Sequence, residues 1–451
     1  MHYRRENIYK GGETVKKVLF ILVALVLALS VSLVGCDGGG GTVGSDTIVI
    51  GMSRSLTGSF AVIHSSAFGA IYPTYISMLN DAGGISINGT PFEVETKVLN
   101  DNSEPGKLQT HITALTNDVE DGEVHTIFGP TCTYFIDLAA PICDDAGVVL
   151  MTAEGGATFL EQPGYLPEWP YVFITLSFSD WRQLPVLAPL LNGAGATSAY
   201  ILWQNDAHGL EYLATAAIEF PDAGITIVGN QSVLAGPGFD PATILAAVNA
   251  TNPDVVALFC YPGEIMGITG TAIGLGYNFD AWCTGPGANF GWFGGAFGPL
   301  SEEGVICFAV ANNETVVPGG DPTMEVLFND ILAGGVVAGQ DFWGHPLYWA
   351  AMQIWQAAVT AVGALADDGK FIIDQDDLRA ELASYISAGT GVTTCLGPTY
   401  YTMFGTGGGI LAYQCHSGEI GQWQSGYVQI IGGNIPTATI DYPKANWPVA
   451  P

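Results

Sequence analysis

The chain has 451 residues, of which 48% are hydrophobic and 12% charged, and its mean hydropathy is +0.33. This composition excludes a disordered acidic protein, and the length is sufficient for two domains with hydrophobic cores. Lys and Arg number 12 against 43 Asp and Glu, for a formal net charge of −31, and five of the basic residues lie among the first 17. From Asp37 onward, seven basic residues face 41 acidic ones, which excludes nucleic acid and a basic membrane-binding patch.

The first 36 residues have the order of a secretory leader: basic residues up to Lys17, an apolar run from Val18 to Val34, then small residues. The run is shorter than the roughly 20 residues of a membrane span. Leu33-Val34-Gly35-Cys36 resembles a bacterial lipobox. We therefore expect 1–35 to be a lipoprotein signal peptide, Cys36 to carry lipid, and 36–45 to be a Gly-rich tether. An uncleaved anchor is the alternative. Either way, the body is exported and held at the outer face of a membrane or in the periplasm.

Short apolar strands then alternate with helices in two series. The first series predicts strands at Thr47–Gly51, Phe92–Leu99, His125–Phe128 and Val148–Met151, with helices at His64–Asn80, Pro105–Asp118 and Thr133–Asp145. The second predicts strands at Ser198–Trp203, Ile225–Val228, Val255–Phe259, Ala281–Thr284 and Val305–Ala309, with helices at His208–Phe220, Pro241–Ala250 and Met266–Gly274. Helices at Leu347–Leu365 and Asp376–Ile386 and a β-rich stretch, Thr399–Ile431, follow. This rhythm predicts an α/β protein with two lobes built on parallel-rich sheets.

The sequence offers little catalytic chemistry. The mature chain has six His residues, none in an HExxH motif or with metal-ligand spacing, and it contains no GxSxG elbow and no phosphate-binding loop. We therefore expect a protein that is not an enzyme, with no cofactor and no metal.

Seven cysteines remain besides Cys36, so at least one is a free thiol. Cys395 and Cys415 flank the predicted C-terminal hairpin and are the candidate disulfide, with two buried thiols as the alternative. Cys132 and Cys143 bracket one helix, about 16 Å apart at 1.5 Å per residue, so we expect no bond between them.

Small, polar and aromatic residues follow the strands, where open α/β sheets bind ligands. The loop before the Thr133 helix offers backbone N–H groups and a hydroxyl at a helix N-terminus, an arrangement that suits a carboxylate. The alternative is that this threonine only caps the helix.

Several segments, in order, resemble the branched-chain amino-acid-binding proteins, which are type I periplasmic binding proteins of ABC importers. The segments are Leu56-Thr57-Gly58, Asn80-Asp81-Ala82-Gly83-Gly84, Asn100-Asp101, Ile127-Phe128-Gly129-Pro130, Gly238-Phe239-Asp240, Asn252-Pro253-Asp254, Gly397-Pro398 and Tyr442-Pro443. The resemblance extends from about Thr47 to Trp447. It implies two Rossmann-like lobes joined by three hinge crossings, near 173–177, 309–312 and 407–409. The implied bounds are 46–175 plus 311–408 for lobe 1, 176–310 plus 409–436 for lobe 2, and 437–451 for a Pro-rich tail.

The resemblance also implies ligand-binding positions, in part altered here. The carboxylate-binding hydroxyl falls on Thr133, and the loop that meets the ligand backbone falls on Thr152 to Gly156. Gly156 stands where the family has Thr, and Glu154 stands where it has a small residue. Gly155 lies between them. In lobe 2 the ligand positions are His208, Tyr261 and Gly287, and the family's ammonium-pairing acid is missing at Gly287. The lobe-1 aromatic falls near Ile63 or Phe60.

The resemblance therefore implies a lipid-anchored solute-binding protein of an ABC importer that presents a small solute to a permease and ATPase complex. The solute is either not an α-amino acid, or its ammonium is paired by another carboxylate, for which Glu154 is the candidate. The alternative for Glu154 is that it points to solvent or caps the next turn. A ligand sensor that docks on a receptor or signalling partner is the alternative function.

Overall fold

The computed structural model describes residues 44–152, 169–175, 183–234, 236, 238–312, 315, 341–387, 389–404, 408–413 and 419–448. Its strands are β1 Ile48–Arg54, β2 Ile85–Ile87, β3 Thr90–Phe92, β4 Val94–Asn100, β5 Thr126–Phe128, β6 Leu150–Thr152, β7 Val172–Ile174, β8 Ser198–Gln204, β9 Thr226–Val233, β10 Val255–Phe259, β11 Ala281–Thr284, β12 Ile306–Phe308, β13 Ala364–Leu365, β14 Phe371–Ile372, β15 Val392–Thr394, β16 Gly397–Phe404, β17 Gly408–Tyr413, β18 Ile420–Gln424 and β19 Tyr427–Gly432.

The helices are α1 Ala61–Ile63, α2 Gly69–Asp81, α3 Pro105–Glu120, α4 Thr133–Asp145, α5 Leu184–Ala194, α6 Ala207–Asp222, α7 Pro241–Thr251, α8 Pro262–Leu275, α9 Gly344–Val362 and α10 Gln375–Ser384. A π-helical turn, His64–Phe68, joins α1 to α2, and a 3₁₀ turn covers Gly291–Phe293.

Two sheets organise the chain. The first has the strand order β15-β16-β17-β7-β6-β5-β1-β4, and the second β19-β18-β12-β11-β10-β8-β9. The central pairs of both sheets are parallel, whereas the C-terminal strands add antiparallel edges. Their central strands, such as β10, are buried along their whole length, as expected for parallel sheets covered on both faces. The predicted fold class is therefore confirmed: an α/β protein with two parallel-rich, Rossmann-like lobes.

One predicted boundary is wrong. The third crossing was expected at 407–409, but β17 pairs with β16 from Gly408 to Tyr413 and also with β7. The glycines therefore open a strand of the first sheet, and lobe 1 extends to Tyr413. The chain joins the second sheet at β18. The other lobe bounds and the tail boundary stay predictions.

A second difference concerns the long C-terminal helix. The predicted helix runs to Leu365, but α9 ends at Val362, where Gly363 takes an extended conformation. A Cβ at Gly363 would lie 2.8 Å from Ile87 and Phe371 side-chain atoms. Ala364 and Leu365 then pair with β14 as a short antiparallel ribbon. No helix in the described part of the chain is long and apolar enough to span a bilayer.

Candidate functional site

The ends of β5 and β6 bring two predicted site residues to one edge of the first sheet. A Cβ at Gly129 would lie only 2.5 Å from the Cβ of Thr152, so glycine permits this close approach. The loop after Gly129 leads directly into α4, whose first residue is Thr133. Thr133 and Thr152 are both buried. The structure therefore places them at neighbouring strand ends.

The N-terminus of α4 has no acidic side chain at its N-cap or in its first turn. Its N-cap residue, Cys132, makes no side-chain bond to the first turn, and that turn contains no acidic residue. In contrast, the side chain of Asp206 caps α6 by accepting a hydrogen bond from Gly209 N at 3.3 Å. The free N–H groups and partial positive charge of α4 favour a carboxylate, and the Thr133 hydroxyl lies in the same turn.

A buried cation beside this loop was not predicted from the sequence. Arg54, at the end of β1, is 1% exposed. Its Nη1 donates to the carbonyls of Gly129 at 2.6 Å and Pro130 at 3.0 Å, and its Nε donates to His64 Nδ1 at 3.5 Å. Burial and the Arg54 charge lower the pKa of His64 to about 4. Basic residues are rare after Asp37, and this rarity was the one sequence feature that could have drawn attention to Arg54.

Aromatic side chains occupy the facing edge. The rings of His208 and Tyr261 stack with centroids 4.9 Å apart and an interplanar angle of 15°. Burial lowers the pKa of His208 to about 3, so its ring is neutral. Phe60 of the first lobe contacts the ring of Tyr261 edge-on at 5.3 Å and that of Phe135 at the same distance. The two lobes therefore meet through aromatic rings directly beside the α4 N-terminus. Phe60 was one of the two predicted lobe-1 positions.

The Tyr261 hydroxyl is buried at the same place. It lies beside the Asp206 carboxyl and the Cys132 thiol. Burial raises its pKa, as do the nearby Cys132 and Asp206. Because Cys132 precedes α4 and Asp206 precedes α6, this hydroxyl lies between the helix N-termini of the two lobes.

The loop after β11 is built without an acid. Gly287 N donates to Asn289 Oδ1 at 2.6 Å. A Cβ on Gly287 would lie 3.1 Å from two carbon atoms of Ile265, which leaves little room for a larger side chain. Asn289 in turn donates to Asp341 Oδ1 at 2.7 Å, and both residues are fully buried. Asn289 and Asp341 were not predicted, because neither stands in a recognisable motif.

Other predicted positions lie outside the described residues: Glu154, Gly155, Gly156, Cys36 and Cys415. The Cys395–Cys415 pairing therefore stays a prediction. Cys132 and Cys143 are both buried, and no disulfide joins them, as expected from their positions along α4.

Comparison with known proteins gives the family. The model of the periplasmic binding protein family matches residues 47–288. The chain belongs to this family. Among solved structures, the branched-chain amino-acid transporter substrate-binding protein LivJ from Streptococcus pneumoniae, in complex with isoleucine, superposes with a TM-score of 0.66 at 17% identity. That match covers 88% of this chain and 100% of LivJ.

Two further periplasmic binding structures are similar. The leucine-binding protein LivK from Thermotoga maritima has a TM-score of 0.65 at 16% identity, covering 86% of this chain and 99% of LivK. A solute-binding protein from Rhodopseudomonas palustris, in complex with 3,4-dihydroxybenzoic acid, has a TM-score of 0.64 at 16% identity. That match covers 89% of this chain and 99% of the R. palustris protein. At such identities the likeness establishes the type I periplasmic binding protein fold.

Proposed function

We propose that this protein binds a small organic carboxylate between its lobes and presents it to an ABC importer. The uncapped N-terminus of α4 is the observation that carries the proposal. In the lobes' contact region this turn faces the buried Tyr261 hydroxyl, with the Arg54 cation behind the same loop. A carboxylate here would accept from backbone N–H groups and from the Thr133 hydroxyl, while its apolar part rests on the aromatic rings.

The body of the solute is either amino-acid-like or a plain acid. LivJ was solved with isoleucine and the R. palustris protein with an aromatic acid, so the fold serves both kinds of carboxylate. Gly287 provides no carboxylate and packs on Ile265. We propose that Glu154 supplies the missing charge if the solute carries an ammonium group, with Gly155 and Gly156 as the backbone contacts of the same loop.

Matched acids test this proposal. Solute released from the purified protein is identified by mass spectrometry, and binding of leucine and of 4-methyl-2-oxopentanoate is measured by calorimetry. These two acids differ in that an oxo group replaces the ammonium. If Glu154 pairs with ammonium, Glu154→Gln weakens leucine binding by about 10- to 100-fold and leaves the oxo acid unchanged. Binding of neither acid, with no carboxylate among the released solutes, would overturn the proposed function.

The cellular context is proposed on the sequence and on family membership. We infer that Cys36 carries lipid, that the body is exported, and that it works with a permease and an ATPase. Cys36→Ala is expected to leave the chain unprocessed or to release it from the membrane fraction. Normal acylation and processing of that variant would exclude the lipobox. Finding permease and ATPase genes beside the gene for this chain would favour the importer, and their absence would favour the sensor.

A further inference from the structure

A chain of hydrogen bonds leaves the loop after β11 and enters lobe 1. It begins at Gly287 N, which donates to Asn289, and continues from Asn289 to Asp341 Oδ1. The backbone N–H of Asp341 donates to Nδ1 of His345 at 3.1 Å, within the first turn of α9. Asp341, Asn289 and His345 are all fully buried. These first hydrogen bonds of the series are therefore shielded from competing water.

His345 connects this series of hydrogen bonds to the π-helical turn of lobe 1. Because its Nδ1 accepts a backbone N–H, the proton of the neutral ring lies on Nε2. That nitrogen lies 3.0 Å from the carbonyl oxygen of Ser66, so it donates to this carbonyl. Ser66 belongs to the π-turn His64–Phe68, a local geometry that recurs at functional sites. The orientation of this turn is thus fixed from the start of α9.

The Ser66 hydroxyl then connects this series of hydrogen bonds to the second lobe. It accepts a hydrogen bond from Trp292 Nε1 at 2.9 Å. Trp292 lies in the 3₁₀ turn after β11, and its ring stacks on Phe290 with centroids 5.5 Å apart. The same loop is anchored in lobe 2, since Trp423 of β18 donates to Ala288 O at 2.7 Å. The Trp292–Ser66 bond therefore joins the two lobes.

We propose that Trp292 and Ser66 form a latch that holds the lobes together, and that His345 positions its acceptor. Both latch residues are only half-buried, so each finds water when the lobes separate. The bond then contributes the modest net amount of one exchanged hydrogen bond, which suits a contact that must open and reform. This inference goes beyond the proposed function and does not depend on which solute is bound.

A double-mutant cycle tests the latch without any solute. Fluorescent dyes are attached to Ala114→Cys on α3 and Ala217→Cys on α6, both exposed, in the full chain with Cys36 and Cys415 replaced by serine. The six described native cysteines are buried and should not react. Single-molecule energy transfer after exhaustive dialysis then gives the ratio of closed to open molecules.

Trp292→Phe and Ser66→Ala are each expected to lower that ratio about 2- to 12-fold, the range of one net hydrogen bond. The double variant should lower it no further than either single variant. Trp203→Phe is the matched control, because Trp203 Nε1 donates to Asn230 Oδ1 within lobe 2. Unchanged ratios in the single variants, or additive effects in the double variant, would overturn the latch. Failure of every solute to bind would overturn the proposed function and leave this result intact.

Discussion

The two lobes treat the helix N-termini at their interface differently. In lobe 2, Asp206 caps α6 and Glu264 lies in the first turn of α8, so the protein supplies its own negative charge. In lobe 1, α4 has neither a side-chain cap from its N-cap residue nor an acid in its first turn. The Arg54 cation donates to the carbonyls of the loop that precedes this helix. Of these three helix N-termini, only that of α4 therefore has no acidic side chain at its N-cap or in its first turn.

Because of this difference, we expect the two lobes to contact different parts of the solute. A solute carboxylate gains most at α4, where helix dipole, backbone N–H groups and the Thr133 hydroxyl converge. Lobe 2 repels it, since burial raises the pKa values of Asp206 and Glu264 and shows that their charges are already costly there. What lobe 2 offers instead is the flat, neutral surface of His208 and Tyr261.

The largest effect is expected from removing the buried positive charge of Arg54 in lobe 1. Arg54→Met leaves the Gly129 and Pro130 carbonyls without their charged donor in a buried site. We expect the free energy of unfolding to fall by about 3 kcal/mol in urea denaturation, with Arg54→Lys intermediate. Lys107→Met, at an exposed ion pair, is the matched control and should change stability by less than about 1 kcal/mol. Equal effects of the Arg54 and Lys107 variants would contradict a structural role of the guanidinium.

The second prediction concerns the hydroxyl at the open helix end. Thr133→Ala should weaken binding of the tightest acid found by calorimetry about 10- to 100-fold, because one hydrogen bond to a carboxylate is lost. Thr133→Ser keeps the hydroxyl and should bind within a few-fold of the natural chain. Thr131→Ala is not a suitable control, since Thr131 Oγ1 accepts from Ser55 N and holds the loop. If Ala and Ser at 133 bind alike, the carboxylate does not meet this residue.

Sequence patterns predicted this site unevenly. The bounds of α4, β10 and β11 were predicted correctly, because Gly, Pro and Thr punctuate short apolar runs there. In contrast, α5 (Leu184–Ala194) was missed, because its Leu-Pro-Val-Leu-Ala-Pro-Leu-Leu sequence contains two prolines and is apolar at every position, which hides the helical spacing of its buried leucines. It forms because its leucines pack into the core of lobe 2.

The residues that the sequence did not reveal are those whose roles depend on tertiary contacts. Arg54 lies beyond the predicted strand Thr47–Gly51, and the approach of the loop after β5 makes its charge significant. Asp341 has no motif, yet its carboxylate accepts from Asn289, Trp343 and Gly344. Burial raises the pKa of Asp341 to about 6, although these hydrogen bonds act to lower it. Such convergence arises from distant segments and leaves no periodic trace in the chain.

The smallest expected effect concerns pH, and it tests the acidic side of the comparison. Burial, and secondly the nearby Asp206, raise the pKa of Asp137 on α4 from 3.8 to about 7. A carboxyl whose pKa rises on contact favours contact when protonated. The ratio of closed to open molecules should therefore fall as pH rises towards 7 and level off above it. Titration of this one carboxyl changes that ratio by at most tenfold per pH unit. Asp206 and Glu264, the acids facing it from lobe 2, have pKa values raised in the same direction and add to this trend.

Asp137→Asn should flatten the closed-to-open ratio between pH 5.5 and 8, a range that stays above the isoelectric point of about 4.1. The same dye pair measures that ratio. Asp145→Asn, exposed at the other end of α4, is the matched control and should keep the slope of the natural chain. Because Asp137 lies beneath the open end of α4, its neutral form also removes a repulsion from a bound carboxylate, so solute affinity should fall with rising pH in parallel. A slope that persists unchanged in Asp137→Asn would place the pH dependence on the lobe-2 acids alone.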